Sequence, residues 1–220
     1  MARYTTAKDY DLRKRYVLTI VYLIATLLLG LIITFGRFEL AECAFLMYLQ
    51  AAVRNSLGIL PFQVLTYLGD LYLWVTVAFI YLVYALLKSR KNIGSAVELV
   101  TFLTMVTILN YSLKLAFDRP RPNCPNLTVY TEEVYSAYPS GHVSRATGAL
   151  LILLPQKKRT LKALVALFIF LVSISSMILG LHYLTDVIGA VFLSLAARNL
   201  ANLSITHLRL TERLQRLIYR

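Results

Sequence analysis

Six stretches of this chain are apolar for close to the ~20 residues, or ~30 Å of helix, that crossing a bilayer requires. They cover residues 16–35, 71–88, 96–117, 142–155, 161–180 and 185–203. No other feature restricts the fold as strongly, because lipid offers no partners to backbone N–H and C=O groups and a spanning segment must satisfy them internally. The expected fold class is therefore all-α: a polytopic membrane protein with six transmembrane helices. The fourth stretch is short and begins inside the protein, at Ser140. Of 220 residues, 58% are hydrophobic and 15% charged, and the mean hydropathy is +0.65, values of a membrane protein rather than a soluble domain. A single transmembrane domain, 1–220, accounts for the chain. The first span lies too far from the N-terminus for a cleaved signal peptide and lacks a small-residue cleavage site beyond it, so it is expected to be retained.

The net charge of +12 does not mark a nucleic-acid surface, because the cations are dispersed between the spans. Arg3, Lys8, Arg13, Lys14 and Arg15 precede the first span; Lys88, Arg90 and Lys91 follow the second. Lys157, Lys158, Arg159 and Lys162 follow the fourth, and Arg209, Arg213, Arg216 and Arg220 follow the sixth. With six spans, all four clusters fall on one side, which the positive-inside bias makes cytoplasmic. The tails, 1–15 and 205–220, are then cytoplasmic. Residues 36–70, 118–141 and 181–185 lie outside, and the expected location is the plasma membrane.

Between the first two spans, Ala41, Phe45, Leu46, Leu49 and Val53 share a helical face, while Glu42, Gln50 and Arg54 interrupt the opposite one. A seventh span here would put the basic clusters outside. An additional interfacial or re-entrant helix over 40–55 is expected instead. Tyr67, Tyr72, Trp74, Tyr135, Tyr138 and Tyr183 suit the headgroup layer, where a ring can keep its polar tip wet. Asp118 to Tyr138, polar and Pro-rich, is expected to form a lid or a headgroup-selecting loop.

Three polar motifs stand at the ends of apolar stretches: Lys114-x6-Arg121-Pro122, Pro139-Ser140-Gly141-His142 and His182-x3-Asp186. Lys114 and Arg121 supply fixed positive charge. Ser140 is a good N-cap, and the backbone N–H groups of Gly141 and its neighbours are free to meet an anion. His142 and His182 supply the acid and the nucleophile that phosphoester cleavage requires. A helical turn between His182 and Asp186 would let the carboxylate hold one ring nitrogen and leave the other for phosphorus. Arg119 and Arg121 stand two apart in an extended, polyproline-like exit and so do not both face one phosphate. Singly, each motif has a plainer reading: cations at a helix end are commonly snorkelling anchors, Ser-Gly before a span is commonly a cap, and a lone interfacial histidine is commonly structural. Their order and common membrane face favour the site.

In order and spacing these motifs resemble the type 2 phosphatidic acid phosphatase (PAP2) superfamily, over roughly residues 60–200. The resemblance implies a metal-independent lipid phosphatase with no cofactor, acting on a lipid phosphate or diphosphate, with polyprenyl diphosphates and phosphatidate-like lipids leading. It implies attack by His182 with formation of a phosphohistidine, proton donation by His142, and charge stabilisation by Lys114, Arg121, Ser140 and the Gly141 backbone. The family's third motif usually reads Ser-Arg-x5-His-x3-Asp, whereas Ser175-Ser176 stands here. Arg145, three residues after His142 on the same helical face, is the candidate replacement for the missing arginine, with Arg119 second. A phosphotransferase using the same site, or an anionic-lipid-binding relative without turnover, are the alternatives; an intact His142, His182 and Asp186 set argues for chemistry.

The expected partners are the lipid substrate and the bilayer, with no nucleic acid, and the sequence leaves the oligomeric state open. No His/Asp/Glu cluster has metal-ligand spacing. Cys43 and Cys124, both expected outside, can form a bridge or stay separate. Asn126-Leu127-Thr128 is a glycosylation sequon on the outer loop, while the same pattern at Asn110 lies inside a span.

Overall fold

The computed structural model describes residues 2–36, 38–54, 58–130, 136–154 and 158–218. Tyr135, Lys157 and Arg220 lie outside the described residues, as do the side chains of Arg3, Lys8 and Arg54. In chain order the helices are α1 (Ala2–Phe35), α2 (Glu39–Arg54), α3 (Leu60–Tyr67), α4 (Leu71–Lys88), α5 (Ile93–Phe117), α6 (Gly141–Leu153), α7 (Arg159–Ile178), α8 (Leu184–Leu208) and α9 (Leu210–Ile218), with a 3-10 turn at Arg90–Asn92. Among the described residues, five helical stretches are long and apolar enough to cross a membrane: Tyr10–Phe35, Leu71–Lys88, Arg90–Phe117, Arg159–Ile178 and Leu184–Leu208. The fold is that of an all-helical integral membrane protein.

The expected fourth span is α6, which starts after Ser140 and is short, as the sequence indicated. α6 has 13 residues, or about 20 Å of rise, short of the ~30 Å of hydrocarbon. It needs no lipid face, because Gly141, Val143, Ser144, Ala146, Thr147, Gly148 and Ala149 are all buried against its neighbours. Around it, α8 packs on α1, α5 and α6, while α7 lies against α3 and α6. Small residues permit this closeness. A Cβ on Gly148 would stand 2.1 Å from the Phe102 ring, and one on Gly189 would stand 2.4 Å from the Tyr138 ring. The outer surface is apolar, with Ile20, Ile24, Leu28 and Leu31 of α1 and Phe79 and Ile80 of α4 exposed as lipid requires.

α2 is the helix expected over 40–55, and residues from both of its sequence faces turn inward. Glu42 and Leu46 are buried, and Leu49, Gln50 and Val53 are partly buried on that side, whereas Ala41 and Phe45 are exposed. The polar groups face inward because they have partners there. Gln50 Nε2 donates to the carbonyls of Thr128 and Ile178, each at 2.7 Å, and its Oε1 accepts from Thr128 N at 3.1 Å. Together with the hydrogen bond from Tyr130 N to Leu179 O at 3.1 Å, these contacts pin the described part of the 118–138 loop to α2 and α7. Cys43 and Cys124 form a disulfide that closes the same junction.

Three aromatic residues expected in the headgroup layer are buried instead. Trp74 is 6% exposed and donates to Leu68 O at 2.9 Å. Tyr138 is fully buried, its hydroxyl donating to Thr26 O at 2.5 Å, and Tyr183 is 3% exposed. Tyr67 and Tyr72 are exposed as expected.

Candidate active site

The three motifs meet where α5 and α7 end and α6 and α8 begin. Each helix terminus has a local cause. α7 stops in a Schellman arrangement: Gly180 takes φ 73°, Gly180 N donates to Met177 O at 2.9 Å, and Leu181 N donates to Ser176 O at 3.0 Å. A residue with a Cβ is strained at that φ, so glycine sets the direction in which His182 leaves. α6 starts after Ser140, whose backbone is extended and whose hydroxyl accepts from Val143 N at 3.5 Å. Ser140 N in turn donates to Asp186 O at 3.1 Å, and Asn110 Nδ2 donates to Pro139 O at 3.1 Å. The second motif is thus tied directly to the third and to α5.

Across this junction the His142 and His182 rings stand 6.5 Å apart, centroid to centroid. His182 is 1% exposed. Arg121 reaches the junction and donates to Leu181 O at 2.8 Å, while Lys114, in the last turn of α5, bonds Ser136 O. Arg145 donates from Nε to Gly69 O at 3.1 Å, and its guanidinium nitrogen lies 2.8 Å from where a Gly141 Cβ would be. Its charge therefore covers the first turn of α6. Ser176 is fully buried and donates to Ser173 O at 2.8 Å within its own helix.

Asp186 does something other than the spacing suggests. His182 precedes the N-cap of α8, so no helical turn joins the two, and His182 Nδ1 lies 3.7 Å from Asp186 Oδ2, longer than a hydrogen bond. The carboxylate instead caps its own helix, Oδ2 accepting from Tyr183 N at 2.8 Å, and pairs through Oδ1 with Arg119 NH1 at 2.5 Å.

Arg119 is accordingly not a phosphate ligand in reserve. Its other arm meets Glu42 Oε2 at 2.5 Å, NH1 also donates to Thr185 Oγ1 at 2.7 Å, and its guanidinium carbon lies 4.1 Å from the Tyr183 ring centroid. Glu42 Oε1 accepts from Thr185 N at 3.0 Å and from Thr185 Oγ1 at 2.7 Å. Burial opposes the charge on Arg119, but the Asp186 and Glu42 carboxylates together outweigh it and hold its pKa above the ordinary value. Sequence reading placed Glu42 on a helix face without giving it a role. Its signal was a carboxylate set among apolar residues of α2, next to a cysteine.

Beside His142 opens a cavity of about 420 Å³, walled by α3, the α3–α4 corner and Leu179 and Leu181. Gly69 permits the contact, since a Cβ there would stand 2.7 Å from His142 Cβ. Among the described residues, no three His, Cys, Asp or Glu side chains are grouped so as to hold a metal ion.

The fold is that of the membrane-integral PAP2 phosphatases. The chain belongs to the PAP2 superfamily, whose family model matches residues 95–207, more than half of the sequence. Its fold is similar to that of a transmembrane PAP2-type phosphatidylglycerolphosphate phosphatase from Bacillus subtilis, at 26% identity and a TM-score of 0.64, over 83% of this chain and 93% of that one. It also shares its fold with Aquifex aeolicus LpxE, at 23% identity and a TM-score of 0.59, over 72% of this chain and 93% of that one. No curated protein matches the chain.

Proposed function

We propose that this protein hydrolyses a lipid phosphate or diphosphate through a phosphohistidine, without metal, at the extracytoplasmic face of the plasma membrane. The observation that carries the reading is the 6.5 Å separation of the His142 and His182 rings, room for one phosphoryl group between an attacking nitrogen and a proton donor. A ring nitrogen of His182 attacks phosphorus, the P–O bond to the leaving group breaks in line, and the departing oxygen takes a proton from the His142 imidazolium. Water, deprotonated by His142, then cleaves the N–P bond and releases phosphate. Lys114, Arg121, the capped start of α6 at Ser140 and Gly141, and Arg145 balance the charge on the equatorial oxygens. Arg145, lying over Gly141, takes the part of the arginine that Ser176 replaces.

Asp186 acts through its cap and its ion pair, setting the start of α8 immediately after His182. Two features support the orientation. One is the positive-inside bias of the basic clusters read from the sequence, and the other is the Cys43–Cys124 disulfide between α2 and the loop after α5, since an oxidising compartment favours such bridges. The Bacillus protein's action on a phosphorylated phospholipid supports a lipid substrate.

The test is release of inorganic phosphate from lipid phosphates by the purified protein, compared with His182→Ala. Turnover and trapped phosphoenzyme should both vanish in the variant while lipid binding persists, because the nucleophile serves the chemical step. Wild-type rates in His182→Ala would remove the covalent mechanism. Transfer to an added alcohol in place of water would identify a phosphotransferase.

A further inference from the structure

α9 gathers cations at the end of α5 away from the motifs. Arg209 closes α8 in the left-handed conformation, φ 49°, and that turn sends α9 off the α8 axis instead of extending it. Leu214 then packs against the cluster of Ala85, Ile93 and Ala96 where α4 and α5 meet, and Thr211 stands 4.0 Å from where a Cβ on Gly94 would be. With Leu214 turned inward, Arg213 and Arg216 share an exposed face, three residues apart. Lys88, Arg90 and Lys91 lie between Ala85 and Ile93 in the chain and are exposed at the same corner. α5 runs from here to Lys114 in its last turn, roughly 37 Å of helix, so the corner is separate from the phosphate site.

Little balances these charges. Among the described residues Arg209, Arg213 and Arg216 form no ion pair, and Glu212 is the one acidic residue of α9. Several uncompensated cations at one corner make a region of positive potential that attracts anions. Apolar neighbours decide which anion. Leu87 is 75% exposed and Leu208 51%, and each directly precedes an exposed cation, Lys88 and Arg209. The corner therefore lies where hydrocarbon gives way to polar surface. A nucleic acid or an acidic protein would leave those leucines in water, whereas a lipid meets them with its chains and the cations with its phosphate. We propose that the outer face of α9 and the Lys88–Lys91 corner bind acidic phospholipids, with Arg213 and Arg216 holding the headgroup phosphodiester while Leu87 and Leu208 stay in hydrocarbon.

The probe is dioleoylphosphatidylglycerol added to the full-length protein in neutral detergent, with dioleoylphosphatidylcholine and a short single-stranded RNA for comparison. Binding is read from the lipid-dependent rise in melting temperature. The wild type should prefer phosphatidylglycerol. Arg213→Gln/Arg216→Gln should weaken that binding about 25-fold, since each basic residue at an anionic lipid surface contributes about fivefold. Lys158→Gln/Lys162→Gln removes the same charge at the start of α7 and should cost less than about threefold, because exposed charges beyond a Debye length are screened. At ~1 M salt the difference between the wild type and the α9 variant should disappear. Without lipid, both variants should melt with the wild type, because exposed side chains of this kind add little stability. Lys88→Gln/Lys91→Gln reads the same corner from α4 and the 3-10 turn, and should weaken binding as the α9 variant does.

Equal affinity for the two lipids overturns the site. So does an α9 variant that binds as the wild type does, the result expected of lipid held at the phosphate site, or an equal loss in the α9 and α7 variants. Tighter binding of the RNA than of phosphatidylglycerol would make the corner a nucleic-acid surface instead. None of these readouts uses turnover, so they leave the phosphatase reading to its own test.

Discussion

Arg119→Gln removes the guanidinium that bridges two buried carboxylates. Glu42 is 7% exposed and Asp186 fully buried, and Arg119 meets each at 2.5 Å. Glutamine is too short to bridge both and carries no charge, so each carboxylate loses the guanidinium that offsets its charge. Removing one partner of a buried ion pair costs about 3–5 kcal/mol, because the remaining charge is left without compensation. The network spans residues far apart in sequence, so the loss should appear as a clear drop in melting temperature of the purified protein under oxidising conditions. The Cys43–Cys124 bridge still holds α2 in place, and the drop therefore reports the electrostatic contact rather than release of that helix. Phosphate release should fall as well, since Asp186 sets the start of α8 beside His182. Arg119→Lys should recover little of either, because an ammonium cannot make two planar contacts or stack on Tyr183 in the same way.

Adding Glu42→Gln to Arg119→Gln supplies the internal control. It neutralises one of the two uncompensated carboxylates, so the double variant should be more stable than Arg119→Gln alone, a coupling that a double-mutant cycle measures directly. Wild-type melting and turnover in Arg119→Gln would refute the network. Additive losses in the double variant would refute its electrostatic basis.

Activity should survive EDTA and show no gain on adding Mg²⁺ or Zn²⁺, because every role in the proposed mechanism belongs to a side chain or backbone group; loss on chelation with recovery on metal addition would overturn it. Arg145→Ala should lower kcat by about 10²-fold, the cost of losing one preorganised donor, and should match Arg121→Ala; a silent Arg145→Ala would show that the site works with fewer charges. Reducing the disulfide, or Cys43→Ser, should lower the melting temperature, since the bridge spans 81 residues and chain-entropy arguments give up to about 4–5 kcal/mol for such a loop. Unchanged melting under reductant would leave the bridge without a stabilising role. Gly180→Ala should destabilise by about 1–2 kcal/mol, from its left-handed φ, and thermal denaturation checks the direction.

Hydropathy along the chain was enough to determine a helical membrane protein, because a backbone in lipid has few ways to satisfy itself and each helix meets that demand locally. The order of Lys114, Arg121, Ser140, Gly141, His142, His182 and Asp186 was likewise enough to identify the family. Everything that depended on which polar groups pair across the bundle waited for the tertiary structure. The partners of Arg119 lie 77 and 67 positions away, at Glu42 and Asp186, and no periodicity records such a pairing. The inward turn of Glu42 and Gln50 on α2 follows from such contacts, which the apolar pattern alone does not record. His182 and Asp186 are spaced as one helical turn, yet Gly180 ends α7 and Tyr183 begins α8, and their relation depends on where the helices stop. The packing of α6 has the same origin: seven of its 13 residues are buried against neighbouring helices, which hydropathy along the chain does not record.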